Sequence, residues 1–519
     1  MPDVGTGVIG SGTPCQPREE GTKPTVSFTN GVGPVDPHRS GQESCATLVR
    51  ALRQSSRIGL LGHCGTGNLG DDATVASVLQ EIRCRWPEAQ LVGLSMDPED
   101  SARRHGIPCF PMRQSVFPFE REWSSASHPV NRRKSAYKLK AALKKSGPLF
   151  RVARAIISAT IVRPAQLIRE TIFLSRSLLL VCELDLIVIC GGGQLLDWGG
   201  PWAFPYTLFK WIILAKCAGV KCIFLNSGAG PLDASLSRWF VKRTLSLADY
   251  ISLRDRASGD LLRKIGFQGK VNIVADSVWR LQLPDALARE RAGPREQLVI
   301  GIAPMAFGDS SRHWVDDNLA YRRLIDSLAE FGGRMLQRGH RLKLFSSDIW
   351  FDSQALADLE AAIPRYFPHL TPGQVTREPI ACTDDLLAAL SRVDCYVTCR
   401  FHGVIFASLL NVPALALAPH PKVTTLMNDM GLSEYCMDIT KSDADSLTAG
   451  FDRLVANVDG VKARISSHVE QCQSLLTLQF DDLFWAGAKI SSDNDDVLRH
   501  GASDERAIQS VSQHSDPGI

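Results

Sequence analysis

Val393-Asp394-Cys395-Tyr396-Val397-Thr398, followed by Cys399-Arg400-Phe401-His402-Gly403-Val404-Ile405-Phe406-Ala407-Ser408, is the stretch on which the fold turns. The first six residues read as a short buried strand, and the apolar density from Val404 to Leu410 reads as a helix packed on a sheet. Arg400 and His402 therefore fall where a parallel strand ends. In open α/β sheets, ligands bind outside the carboxyl ends of the strands, and the following helix offers N–H groups that favour an anion. A guanidinium and an imidazole delivered together at such a junction point to chemistry. The plainer alternative is that Arg400 pairs with a carboxylate and His402 caps the helix.

Working outward, the same alternation recurs on both sides. Ile58 to Gly62 reads as a strand, Ala73 to Arg85 as a helix and Gln90 to Ser95 as a strand. Leu184 to Cys190 (strand), Phe204 to Ala218 (helix), Lys221 to Leu225 (strand) and Leu236 to Leu247 (helix) continue it, with further strands at Tyr250 to Leu253 and Val271 to Val274. A second series starts after the polar stretch Ala288 to Gln297. It comprises a strand to Pro304, a helix from Leu319 to Arg338, a strand from Arg341 to Ser346, helices at Ser353 to Ile363 and Thr383 to Ser391, and a strand at Ala414 to Leu417. This spacing predicts two Rossmann-like, doubly wound parallel-sheet domains, 50–286 and 297–490, facing a cleft.

The chain has 519 residues, enough for two or three domains. At 44% hydrophobic and 22% charged it matches a soluble globular average, which excludes a disordered protein or a membrane channel. A net charge of +3 gives no reason to expect nucleic acid. The 14 cysteines lack a CxxC pair or zinc spacing, so no metal is expected and the thiols read as small core residues of a reducing compartment. The amino terminus lacks a secretory leader, and the most apolar stretch, around Ile172 to Ile189, is broken by Arg176, Glu183 and Asp185. A cytoplasmic protein is expected. Residues 1–45 and 491–519 read as disordered tails. An interruption near 113–180 carries Arg132, Arg133, Lys134, Lys138, Lys140, Lys144 and Lys145, with no acid from Val130 to Gly147. It reads as a solvated helical face or a flexible insertion, or as a patch that attracts a polyanionic glycan or, in a peripheral contact at the inner face of the membrane, anionic lipid head groups.

Several loops carry candidate ligands. Gly65-Thr66-Gly67-Asn68-Leu69-Gly70-Asp71-Asp72 formally matches GxGxxG. However, no acid ends the next strand to hold a ribose, and Asp71 with Asp72 would repel a pyrophosphate. Asn68 and Asp71 either bind sugar hydroxyls or, in Asp71, supply a helix cap. Gly191-Gly192-Gly193 permits close backbone approach to a ligand, or forms a tight turn. Arg254 is a bidentate anion ligand, or a salt-bridge partner of Asp255 or Asp276. Lys422 follows the strand at Ala414 and falls near the Arg400 loop.

The ordered set Asn68-Leu69-Gly70-Asp71, Gly191-Gly192-Gly193, Arg254-Asp255-x-x-Ser258, Asp276, Arg400-Phe401-His402-Gly403 and Pro421-Lys422-Val423 resembles the polysaccharide pyruvyl transferase family across Arg57 to Ile439. The resemblance implies a glycosyltransferase-B-like fold and transfer of the enolpyruvyl group of phosphoenolpyruvate onto a sugar as a ketal. It implies His402 as catalytic acid, with Arg254, Arg400 and Lys422 around the donor. Asn68, Asp71, Gly191, Gly192 and Gly193 are then the acceptor or cleft loops. No cofactor is expected beyond phosphoenolpyruvate as co-substrate, and the sugar acceptor is expected to be lipid-linked or nucleotide-linked. The chemistry suits the residues: a phosphate and a carboxylate on three carbons call for several cations, and histidine exchanges protons near neutrality. The alternatives are a nucleotide-sugar-dependent glycosyltransferase and a non-catalytic protein that binds anionic glycans.

Overall fold

The computed structural model describes residues 56–114, 163–284, 287, 297–309 and 317–484. Both tails, the basic segment 130–147 and most of the polar stretch 288–297 lie outside the described residues. The described chain contains two parallel sheets. The first runs in the order β3-β2-β1-β4-β5-β6-β7, built from β1 (Arg57–Leu61), β2 (Gln90–Ser95), β3 (Cys109–Pro111), β4 (Leu186–Leu195), β5 (Lys221–Ala229), β6 (Tyr250–Leu253) and β7 (Asn272–Ile273). The second runs β10-β9-β8-β11-β12-β13, from β8 (Val299–Ala303), β9 (Arg341–Leu344), β10 (Val375–Arg377), β11 (Cys395–Thr398), β12 (Ala414–Ala418) and β13 (Cys436–Asp438). In each sheet the order reverses beside the first strand, between β1 and β4 and between β8 and β11. That is the doubly wound Rossmann pattern, and its switch point is where ligands bind. The central strands are buried on both faces, which is why they read as continuous apolar runs.

Among the described residues, the helices of the first domain are α1 (Leu69–Arg85), α2 (Pro98–His105), α3 (Arg163–Cys182), α4 (Phe204–Cys217), α5 (Ser235–Leu247) and α6 (Arg256–Lys264). Those of the second are α7 (Asn318–Gln337), α8 (Ser353–Ala362), α9 (Thr383–Leu390), α10 (Phe401–Leu409), α11 (Pro421–Asp429), α12 (Ala444–Ala456) and α13 (Val458–Phe484). Among the described residues no helix is long and apolar enough to cross a membrane.

Two readings of the sequence are corrected, and a third is made definite. Helix α1 begins at Leu69, four residues earlier than the apolar pattern implied, because Asn68 caps it by accepting from Gly70 N at 3.0 Å. Asp71 is thus inside the first turn and is not the cap. Gly191 to Gly193 form neither a loop nor a tight turn; they continue β4, whose pairing with β5 slips between Gly192 and Leu195. The last part of the interruption near 113–180 is the helix α3.

The domains are joined by more than the covalent chain. Leu69 N donates to Ser347 O at 2.9 Å and Ile349 N to Gly67 O at 2.9 Å, so the loop after β1 pairs with the loop after β9. Gly67, at φ +76°, lies so close to Trp350 that a Cβ would approach its ring to 2.5 Å. The glycine signature therefore serves a domain contact, where a dinucleotide loop would present its backbone to phosphate. Helix α13 follows the second domain in sequence but packs on the first: Gln479 bonds Asn226, Ser252 and Tyr250 at 2.8–3.0 Å, and Arg85 pairs with Asp481. One apolar cluster consequently runs from β1 and α1 through the whole second domain, while the opposite face of the first sheet packs separately against α3, α4 and α5.

Candidate active site

Strand β11 ends at Thr398, Arg400 is the N-cap residue of α10, and His402 is the second residue of the helix rather than its cap. The His402 side chain is buried, and its space is made by Gly70 of the other domain, where a Cβ would lie 1.9 Å from Nδ1. Its Nε2 stands 3.6 Å from Asp276 Oδ2 and makes no hydrogen bond. Asp276 follows β7 and accepts from Val278 N at 3.1 Å, which holds the carboxylate in place at the start of a single 3-10 turn. Burial alone would raise its pKa, but His402 and Arg254 outweigh burial and hold it well below the usual carboxylate range.

Arg254, at the end of β6, donates from Nη1 to Asp276 Oδ2 at 2.9 Å, and its Nε lies 3.5 Å from Asp255 without a hydrogen bond. Its guanidinium rests on the backbone of Gly228, where a Cβ would come within 2.7 Å of Nε and Nη2. It also sits 4.3 Å from the ring centroid of Phe401. Lys422, second residue of α11, reaches the same ring at 5.9 Å. A cation from each domain therefore meets at one aromatic side chain, adjacent in sequence to the histidine. Desolvation of the Lys422 ammonium, with repulsion from Arg254, pushes its pKa down to about 8.

Arg400 is oriented differently. It makes a two-pronged pair with Asp352, Nε to Oδ2 at 2.8 Å and Nη2 to Oδ1 at 2.7 Å, and reaches Asp348 at 3.2 Å. Asp352 is fully buried and also accepts from Ser346 Oγ and Ala306 N. The carboxylate pairing weighed from the sequence is thus present. Burial, reinforced by Asp352, raises the Asp348 carboxyl despite the pull of Arg400.

Asp71 lies against Gly192, where a Cβ would meet Oδ1 at 3.0 Å, and its Oδ2 is 3.0 Å from His63 Nδ1. Burial would raise Asp71, but the His63 hydrogen bond and charge, then His402 and Lys422, bring it below the ordinary value. His63 in turn stacks edge-on against Phe204 at 4.6 Å. Sequence reasoning missed His63, because its value depends on a partner eight residues away that only the strand-turn-helix geometry brings round. The structure therefore gathers His402, Arg254, Lys422, Asp276, Asp71 and His63 at the facing carboxyl ends of the two sheets. Asn68 is used in the helix cap and the domain contact, Gly191 packs against Thr74, and Gly193 meets nothing beyond Leu196. Among the described residues no group of three or more His, Cys, Asp or Glu is arranged to hold a metal ion.

A family model described as polysaccharide pyruvyl transferase matches residues 68–421, well over half of the chain. The chain belongs to the polysaccharide pyruvyl transferase family. Membership places it among transferases of polysaccharide modification. The matched span contains Asp71, Arg254, Asp276, Arg400 and His402, and stops one residue short of Lys422. The amylovoran biosynthesis protein AmsJ of Erwinia amylovora is 21% identical over 305 residues, spanning 56% of this chain and 70% of that protein. Among solved structures, the UDP-GlcNAc 2-epimerase of Neisseria meningitidis aligns over 82% of this chain and 99% of its own, at 10% identity and a TM-score of 0.47. The E. coli ADP-heptose LPS heptosyltransferase II aligns over 78% and 99%, at 14% identity and a TM-score of 0.36. The paired doubly wound sheets are established by their own strand order.

Proposed function

We propose that this protein transfers the enolpyruvyl group of phosphoenolpyruvate to two hydroxyls of a sugar as a cyclic ketal, releasing inorganic phosphate. The observation that carries the reading is the meeting of His402, whose Nε2 faces Asp276 at 3.6 Å without a hydrogen bond, and the cations Arg254 and Lys422 around Phe401. Arg254 and Lys422 hold the donor's phosphate and carboxylate. His402 gives a proton to the methylene carbon, which becomes a methyl group and leaves an oxocarbenium-like centre at C2. A sugar hydroxyl attacks C2 and loses its proton to a base; a second hydroxyl then forms the other C–O bond as the C2–O bond to phosphate breaks, its proton leaving on the released phosphate. His63, oriented by Asp71, is the base: with Nδ1–H donated to the carboxylate, Nε2 is left to accept the hydroxyl proton. Arg400, held by Asp352 and Asp348, fixes the start of α10 and adds positive potential without being the main donor ligand.

The acceptor is a lipid-linked or nucleotide-linked sugar on the way to a surface polysaccharide, and the basic segment 130–147 adds electrostatic attraction to a peripheral membrane contact. Incubating the purified protein with phosphoenolpyruvate and a panel of such sugars, while following phosphate and acceptor mass, tests the reaction. A gain of mass matching a pyruvyl ketal, absent with His402→Ala, is expected. Glycan binding without phosphate release by the wild type, or sugar transfer from a nucleotide donor, overturns it.

A further inference from the structure

We infer that helices α3, α4 and α5 form a docking face for an anionic lipid bilayer. Seven of the eleven exposed large apolar side chains among the described residues lie on these helices and the turns leading into them, including Leu167, Ile172, Leu179, Trp202 and Trp239. Soluble surfaces scatter such residues singly; a concentration of them marks an interaction site. The aromatic part is continuous: Trp202 contacts Tyr206 at 5.4 Å and Phe240 at 5.7 Å, and Phe209 links Phe240 at 5.2 Å to Trp239 at 5.5 Å.

The charge on the same helices selects the occupant. Their sequences hold eight Arg and Lys but a single acid, Glu170, which is bound to Lys210. Arg169, Arg176, Arg238 and Arg243 are exposed. Exposed tryptophans and aliphatic side chains interspersed with arginine on the same helices and their leading turns suit the headgroup region of an anionic membrane. A second copy of the chain fits worse, because a two-fold contact would set this basic face against itself.

The face also leads to the site. Trp202 stands two residues before Phe204, whose ring meets His63. A protein docked here holds the amino end of α4, beside His63, near the membrane surface, where an acceptor carried on a lipid would be found. That consequence rests on the proposed reaction; the docking itself does not, and is measured without donor or acceptor.

The test is co-sedimentation of the full chain with vesicles of phosphatidylcholine, alone or mixed with phosphatidylglycerol. Wild type is expected to pellet with the mixed vesicles and not with phosphatidylcholine alone. Trp202→Ser/Trp239→Ser and, separately, Arg238→Glu/Arg243→Glu should each reduce the bound fraction roughly tenfold, with unchanged melting temperature and unchanged phosphate release on a water-soluble acceptor. The idea is overturned if wild type stays in the supernatant, or if both variants pellet like wild type. It is equally overturned if only Lys138→Gln/Lys140→Gln/Lys144→Gln/Lys145→Gln abolishes binding, or if the tryptophan variant dissociates a dimer while vesicle binding persists.

Discussion

Gly70 and His402, from different domains, occupy one space: the smallest side chain at position 70 would place carbon 1.9 Å from the imidazole Nδ1. The histidine reaches its position only because the other domain contributes no side chain there. Gly70→Ala should therefore displace the ring and lower kcat by about a hundredfold, the usual effect of an ångström-scale misplacement. The secondary structure, followed by circular dichroism, should be retained. Full turnover in this variant would show that the imidazole position is not required.

Lys422 gives a pH signature. In the free protein it is charged below about pH 8 and attracts the donor dianion; as pH rises through about 8 the charge is lost. The ratio kcat/KM for phosphoenolpyruvate, which reports groups of the free enzyme, should fall over the same range. Lys422→Arg keeps the charge at any working pH, so residual activity in that variant should lose the alkaline break. A break that persists unchanged assigns it to another group.

Asp276→Asn keeps the shape and the acceptor for Val278 N but removes the charge facing His402 and Arg254. KM for phosphoenolpyruvate should rise about tenfold and kcat fall by about a hundredfold. Steady-state phosphate release measures both, and wild-type constants would count against this charge as an organiser of the site.

His63→Gln separates the two halves of the reaction. The donor ligands lie elsewhere, so calorimetric binding of phosphoenolpyruvate should be unchanged, while kcat for transfer drops by about a hundredfold as the base is lost. Weakened donor binding with intact turnover would place His63 in the wrong half.

Asp352→Asn addresses Arg400. Removing one partner of a buried, two-pronged ion pair costs on the order of 3 kcal/mol, with Asp348 remaining as a substitute. The denaturant midpoint should fall accordingly, whereas an unaltered midpoint with weakened donor binding would return Arg400 to the role of direct ligand.

Much of this was legible because buried parallel strands announce themselves. Strands β2 and β6 have the bounds their apolar runs indicated, and the alternation with helices led to two doubly wound sheets. The strand ends carrying Arg254, His402 and Lys422 followed from that alternation. Legibility failed where a residue's meaning lies in a distant contact. Gly67 and Gly70 show only as a formal GxGxxG match, since nothing nearby reveals that Trp350 and His402 occupy the space they leave. The orientation of Arg400 depends on Asp348 and Asp352, from a loop about fifty residues upstream. Helix α13 escaped notice because its anchoring groups include Gln479, a polar residue whose partners are in the first domain.

That crossing helix has a consequence for biosynthesis. Asn226 and Ser252 emerge from the ribosome more than two hundred residues before Gln479, the side chain that completes their hydrogen bonds. Until the carboxyl-terminal portion is translated, the first-made half holds polar groups with an unfilled bond and an uncovered apolar strip. Stalled chains ending near residue 450 should therefore be cut by protease in the first domain faster than the finished protein, which ties the maturation of the earliest segment to the last helix made.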